Sequence, residues 1–164
     1  MRLYKTLILI FLASLAFGCG PKKVIEEKYE SGSPKLVKYY KKVNGEKQVV
    51  REQQYYDNQK LKMDGEYANE KRSGIWKAWY ENGNLWSEGN FIDGKRDGTG
   101  KVYYENGKLF FEGTYSADRK VGIWRFYDEN GNVIREADYN NGTVEDQTPV
   151  DSIPENIKEK ATRR

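Results

Sequence analysis

A fixed 24-residue period constrains this chain more than any other feature. The segment from Gly74 to Asp97 recurs from Gly98 to Val121 and again from Gly122 to Glu145. Gly74, Gly98 and Gly122 align, as do Glu81, Glu105 and Glu129, the Asn-Gly pairs at 82–83, 106–107 and 130–131, and then Glu88, Glu112 and Glu136. A unit this short cannot enclose a core of its own, so stability must come from stacking on its neighbours. Its punctuation is that of strands and turns, with aromatics in alternation and Asn-Gly between them. The expected fold is therefore all-β: an antiparallel meander of stacked β-hairpins forming one open, single-layer sheet.

Alternation splits the strand 75–80 into Trp76, Ala78 and Tyr80 on one face and Ile75, Lys77 and Trp79 on the other. With Asn82-Gly83 as a two-residue type I′ turn, Tyr80 faces Leu85, Trp79 faces Trp86, Lys77 faces Glu88 and Trp76 faces Gly89. That register also joins Lys101 to Glu112 and Arg125 to Glu136. A bare glycine at 89 leaves room for the Trp76 indole, whereas Gly113 finds only Gly100 and no ring. A three-residue loop would shift the facing pairs by one and break the charge pairing. The expected core face collects Trp76, Tyr80, Leu85, Phe91, Val102, Tyr104, Leu109, Tyr115, Trp124, Phe126 and Val133.

The opposite face carries an aromatic row beside the turns: Tyr55, Trp79 with Trp86, Tyr103 with Phe110, and Tyr127 with Ile134. This row is the candidate binding surface, because large rings present area to a ligand as readily as to each other. A second candidate is a basic edge in the return loops, formed by Lys71 and Arg72, Lys95 and Arg96, and Arg119 and Lys120, which could meet anionic lipid or polymer.

The flanks differ in character. Residues 1–18 carry Arg2 and Lys5 ahead of an apolar run from Leu7 to Phe17, the layout of an export signal. The residues "LAFGC" resemble the bacterial lipobox, which implies lipidation of Cys19, the only cysteine. Residues 19–35 are expected to form a flexible tether from Cys19. Residues 36–142 form the repeat domain, degenerate over 36–49, with units at 50–73, 74–97, 98–121 and 122–142. Residues 143–164 read as a flexible charged tail. Gln59 stands where later units place the turn glycine, which predicts a poorer turn there.

A chain without histidine, whose one cysteine sits in the export region, lacks the groups for imidazole or thiol catalysis and for internal disulfides. The net charge of +3 with no recognition motif argues against nucleic acid. Recurring carboxylates facing Lys or Arg share equivalent surroundings, which does not separate an acid from a base. No enzyme activity, cofactor or metal site is expected.

The succession G-x-W-x-x-Y, E-N-G-x-L and E-G-x-Y, read across the copies at Gly122–Tyr127, Glu81–Leu85 and Glu112–Tyr115, resembles the bacterial variant of the MORN repeat. The resemblance implies hairpin repeats and an interaction module for protein or membrane, found in secreted lipoproteins and in antitoxin-like components of toxin–antitoxin systems. Together with Cys19 it points to an envelope scaffold, exported and lipid-anchored, at the outer membrane rather than the inner in a Gram-negative host, with an envelope protein or the membrane surface as partner. A glycan- or choline-binding wall module using the aromatic row is the alternative, and an antitoxin-like role the second.

Overall fold

The computed structural model describes residues 20–140. Ten strands lie in one sheet in sequence order: β1 (Lys22–Lys28), β2 (Pro34–Val43), β3 (Glu46–Tyr55), β4 (Leu61–Ala68), β5 (Lys71–Trp79), β6 (Leu85–Ile92), β7 (Lys95–Tyr103), β8 (Leu109–Ser116), β9 (Arg119–Tyr127) and β10 (Val133–Asp138). Every neighbouring pair is antiparallel, and no helix occurs among the described residues. The all-β open meander is therefore the fold. The export segment 1–18, Cys19 and the tail 143–164 lie outside the described residues.

The tether expected over 19–35 is corrected. Residues 22–28 form β1 and pair with β2 from Lys22↔Tyr40 to Lys28↔Pro34. The cause is a turn of repeat chemistry, Tyr29-Glu30-Ser31-Gly32-Ser33. Its Gly32 takes φ 85°, and the Gly32 N–H donates to the Tyr29 carbonyl at 2.9 Å. Ser replaces Asn and the spacing to the next turn is longer, which hides the unit from a strict 24-residue comparison.

The turn within each repeat is not the two-residue turn expected from Asn82-Gly83. At Asn82-Gly83 the Gly83 N–H donates to the Tyr80 carbonyl at 2.9 Å and the Tyr80 N–H to the Asn84 carbonyl at 2.8 Å, closing a three-residue loop in which only Gly83 has positive φ. The two-residue loops with positive φ at both positions are Asn44-Gly45 and, between repeats, Asn69-Glu70, Asp93-Gly94 and Ala117-Asp118. These are the turns whose twist suits tightly joined strands. Gln59 adopts φ 64° and still closes its turn, with its N–H on the Tyr56 carbonyl at 2.9 Å, so the geometry survives at a backbone cost of about 1 kcal/mol.

The three-residue loop does not break the charge pairing, because a second irregularity compensates. Trp79 pairs with Leu85, Ala78 with Ser87 and Lys77 with Glu88, so Trp86 is an extra residue in β6 that restores the register. The same bulge stands at Lys62, Phe110 and Ile134.

Burial is concentrated on the Trp76 face, where Trp124 and Tyr80 are wholly enclosed and Trp76, Phe126 and Ala78 are buried. Each indole lies on the glycine of the preceding strand, correcting the expected Trp76–Gly89 contact. A Cβ on Gly65 would overlap the Trp76 ring and one on Gly113 the Trp124 ring, whereas one on Gly89 would meet nothing within 4 Å. Gly89 does face Trp76 across the hairpin, as expected, and on its other side pairs with Gly100, the residue that replaces tryptophan in the middle unit. Edge-on contacts with Tyr67 at 5.2 Å and Tyr115 at 4.9 Å complete the packing of Trp76 and Trp124. The register moves Leu85, Leu109 and Val133 off the expected core face, since they pair with Trp79, Tyr103 and Tyr127. Val133 is accordingly 52% exposed.

Candidate interaction surface

The tyrosine that opens each three-residue turn is the spine of the array. Tyr29 donates its hydroxyl to the Tyr55 carbonyl at 2.8 Å, Tyr56 to Trp79 at 2.8 Å, Tyr80 to Tyr103 at 2.7 Å and Tyr104 to Tyr127 at 2.8 Å. Each ring thus bonds the strand end just before the next tyrosine. Turn asparagines extend the ladder outward, as Asn82 and Asn84 both donate to the Glu105 carbonyl. In the last unit Asp128 takes the tyrosine position and its carboxylate accepts the side-chain amide of Asn132, the Asn132 backbone N–H and the Asn130 N–H, which hold its pKa below the usual carboxylate range. The ladder stops there.

The bulge residue packs over this tyrosine. Trp86 is 6.3 Å from Tyr80 and Phe110 is 4.8 Å from Tyr104, ring centroid to centroid. Lys62 lies over Tyr56 at 5.6 Å in the same way. Phe110 is buried, against the expectation that it stands beside Tyr103 on the binding row. The row of Tyr55, Trp79, Trp86, Tyr103, Phe110 and Tyr127 is therefore not one platform: Trp86 and Phe110 pack on the turn tyrosines, and only the other four share the Lys77 face. The extra residue of the bulge moves them, and nothing in an Asn-Gly turn sequence announces a bulge three residues later.

The Lys77 face divides into three bands. Nearest the three-residue turns, Tyr55, Trp79, Tyr103 and Tyr127 pair with Leu61, Leu85, Leu109 and Val133. Tyr103 and Tyr127 donate to Glu88 and Glu112, each at 3.0 Å. Burial, followed by that bond to Glu88, pushes the Tyr103 hydroxyl pKa up to about 12.

The middle band is a charge row crossing the sheet without interruption: Asp64, Lys77, Glu88, Lys101, Glu112, Arg125 and Glu136 pair successively from β4 to β10. Ion pairs close at 3.4 Å for Lys77–Glu88, 3.7 Å for Lys101–Glu112 and 2.7 Å for Arg125–Glu136, while Arg51 takes both Asp64 oxygens at 2.8 Å. Three separate pairs were expected from sequence. Each inner member of this row has an opposite charge on both sides.

The third band lies toward the two-residue turns. Ile75, Ile92 and Ile123 are 61%, 55% and 50% exposed. Lys71, Lys95 and Arg119 flank them, with Lys95 paired to Ile92. The expected basic edge is thus split between faces. These three cations open strands β5, β7 and β9 on the Lys77 face, whereas Arg72, Arg96 and Lys120 fall on the Trp76 face over aromatic rings. Ile75 and Ile123, absent from the sequence candidates, stand at one repeat position with Thr99 between them. Their apolar character facing out beside Lys77 was the available signal.

Hairpins β5–β6, β7–β8 and β9–β10 coincide with residues 72–93, 96–117 and 120–141, each of which matches the family model described as "MORN repeat variant". Each of these three hairpins is similar to the MORN repeat variant. The matched unit begins at the strand after the two-residue turn, two residues before Gly74. Hairpins β1–β2 and β3–β4 lie outside the match but carry the same tyrosine and three-residue turn at Tyr29 and Tyr56. No curated protein matches the chain. Among solved structures, a mutant of TarM from S. aureus in complex with Fondaparinux, alpha-GlcNAc-glycerol and UDP is 12% identical at a TM-score of 0.33. A second TarM structure is 13% identical at 0.32. Each alignment covers 75% of this chain and 20% of the other, so the chain spans about a fifth of the length of these proteins.

Proposed function

We propose that this chain is a non-catalytic MORN-type scaffold, exported and lipid-anchored through Cys19, that docks an envelope protein on the isoleucine band of its Lys77 face. The supporting observation is the exposure of Ile75, Ile92 and Ile123 between Lys71, Lys95 and Arg119. An apolar strip rimmed by cations on a rigid sheet suits a partner with an apolar, acidic surface. Glu88, Glu112 and Glu136, which recur at one repeat position, are each engaged by a neighbour in the charge row, where they set register and have no distinct acid and base environments. The aromatic platform that a glycan-binding reading needs is dispersed by the bulges, which favours the protein-docking reading.

Photo-cross-linking in cells from positions 75 and 123, with position 81 in a turn as control, tests this. The same partner protein should be captured from both, and Ile75→Asp should abolish capture. Equal capture from position 81, or adducts to lipid alone, would overturn docking on this band. Cys19→Ser should move the protein from the membrane to the soluble fraction, and retention in the membrane would refute the anchor.

A further inference from the structure

One repeat position holds Glu52, Trp76, Gly100 and Trp124 in successive units, so the middle unit brings no indole to the Trp76 face. The two tryptophans are seated alike. Trp76 lies on Gly65, stands edge-on to Tyr67 at 5.2 Å and donates its Nε1–H to the Glu66 carbonyl at 3.0 Å. Trp124 lies on Gly113, stands edge-on to Tyr115 at 4.9 Å and donates to the Thr114 carbonyl at 3.3 Å. Each seat is thus three consecutive residues that supply a bare floor, an acceptor and a ring. The middle unit keeps all three as Gly89-Asn90-Phe91 and omits only the indole.

That third seat is open. A Cβ on Gly89 would meet nothing within 4 Å, whereas one on Gly65 or Gly113 would strike an indole. Tyr115 leans over Gly100, where a Cβ would come within 2.9 Å of its ring, but does not reach Gly89. The seated indoles lie over β4 and β8, about 19 Å apart, with the open seat midway over β6. Two cations border it. Arg72 lies 4.2 Å from the Trp76 ring and 5.6 Å from Phe91, and Arg96 pairs with Phe91 and lies 5.2 Å from the Tyr115 ring. The ion pairs among the described residues include neither guanidinium. A guanidinium lying flat on a ring keeps its edge N–H donors for an anion. The face does carry one buried carboxylate, Glu52, which accepts the Tyr67 hydroxyl at 3.4 Å and has Lys38 Nζ at 3.9 Å. It stands on β3, about 14 Å from β6, and does not enter the seat.

We propose that Gly89-Asn90-Phe91 receives a tryptophan side chain from a partner polypeptide, with the indole flat on Gly89, its Nε1–H on the Asn90 carbonyl, and an acidic residue beside that tryptophan on Arg72 or Arg96. The partner supplies the ring that this repeat omits. The shape and the acceptor of the seat are those the chain uses for its own Trp76 and Trp124, which is why an indole suits it better than a phenyl ring without a donor. The seat lies on the face opposite the isoleucine band and does not rest on docking there.

Titration of the isotope-labelled full chain with a capped peptide, one tryptophan flanked by Asp and Glu, tests this by NMR. The amide shifts should move most at Gly89, Asn90, Phe91 and Gly100. Leucine in place of the peptide tryptophan should weaken binding by at least about tenfold, and Asn and Gln in place of its acids by about threefold. Gly89→Leu fills the seat and should weaken binding about tenfold with the thermal midpoint retained. Gly100→Trp supplies the ring from within, so it should raise the thermal midpoint and also abolish peptide binding. Shifts centred elsewhere, equal binding of the leucine or the neutral peptide, binding indifferent to both variants, or a lowered midpoint in Gly100→Trp would overturn the proposal. Free indole binding as tightly as the peptide would assign a small-molecule site and overturn the polypeptide partner. None of these readouts involves Ile75 or Ile123, so the seat and the docking band stand or fall separately.

Discussion

Replacing Tyr80 by phenylalanine isolates the contact that joins one repeat to the next. The ring is wholly enclosed and its hydroxyl donates to the Tyr103 carbonyl at 2.7 Å. Phenylalanine keeps the packing and removes only the donor. The loss is one net hydrogen bond, about 1 kcal/mol, plus part of the desolvation cost of a carbonyl left short of a partner, giving about 2 kcal/mol in all. For an array of this size the thermal midpoint should fall by about 6 to 10 °C. Urea denaturation followed by tryptophan emission should show a lower midpoint at unchanged slope, since the surface exposed on unfolding is the same. Tyr104→Phe repeats the lesion two strands away, about 9.5 Å distant, so the double variant should add to within about 0.5 kcal/mol. A loss below about 0.5 kcal/mol for Tyr80→Phe would refute the reading, because stacking of rings alone would then hold the repeats.

Glycines 113 and 89 occupy the same repeat position and should behave oppositely. Gly113→Ala drives a methyl into the Trp124 ring and should cost about 3 kcal/mol, whereas Gly89→Ala enters open space and should change stability by less than about 0.5 kcal/mol in the same urea titration. Lys101→Glu places three acids side by side in the charge row, between Glu88 and Glu112, and should destabilise by about 1 kcal/mol at low salt, with much of the loss recovered at 1 M salt. Alkaline pH should undo the tyrosine ladder. Burial raises the pKa of Tyr56, Tyr80 and Tyr104, and burial with the Glu88 bond holds Tyr103 at about 12, against about 10 in the unfolded chain. The folded state then binds the proton more tightly, so stability is complete below pH 10 and is lost as pH rises from about 10 through about 12. A urea midpoint that holds steady to pH 12 would contradict this.

Much of the architecture was legible from particular residues. The 24-residue period gave stacked hairpins, and the opposition of Lys77 to Glu88 holds even though the turn expected to enforce it has another geometry. The right register followed from a wrong loop because two irregularities, the third loop residue and the bulge at Trp86, cancel. Their cancellation is invisible in sequence, since both residues fit an alternating pattern. Trp86 and Phe110 were misplaced for the same reason, and with them went the supposed binding row. The isoleucine band was overlooked because a single exposed apolar residue per strand is unremarkable until the sheet sets Ile75, Ile92 and Ile123 on one face.

The sequence by itself determined the repeat, the class of fold and the sheet faces of Trp76, Trp79 and Trp124, because these depend on spacing and alternation along the chain. Tertiary structure alone decided what each repeated side chain touches. Trp76 lies on Gly65 and not on Gly89, Tyr80 reaches forward to Tyr103, and Lys71 parts from Arg72 onto the other face. Such contacts depend on which neighbouring strand a ring leans over and on where a bulge adds a residue. Both are settled by packing between repeats, and a period read along one strand carries no information about either.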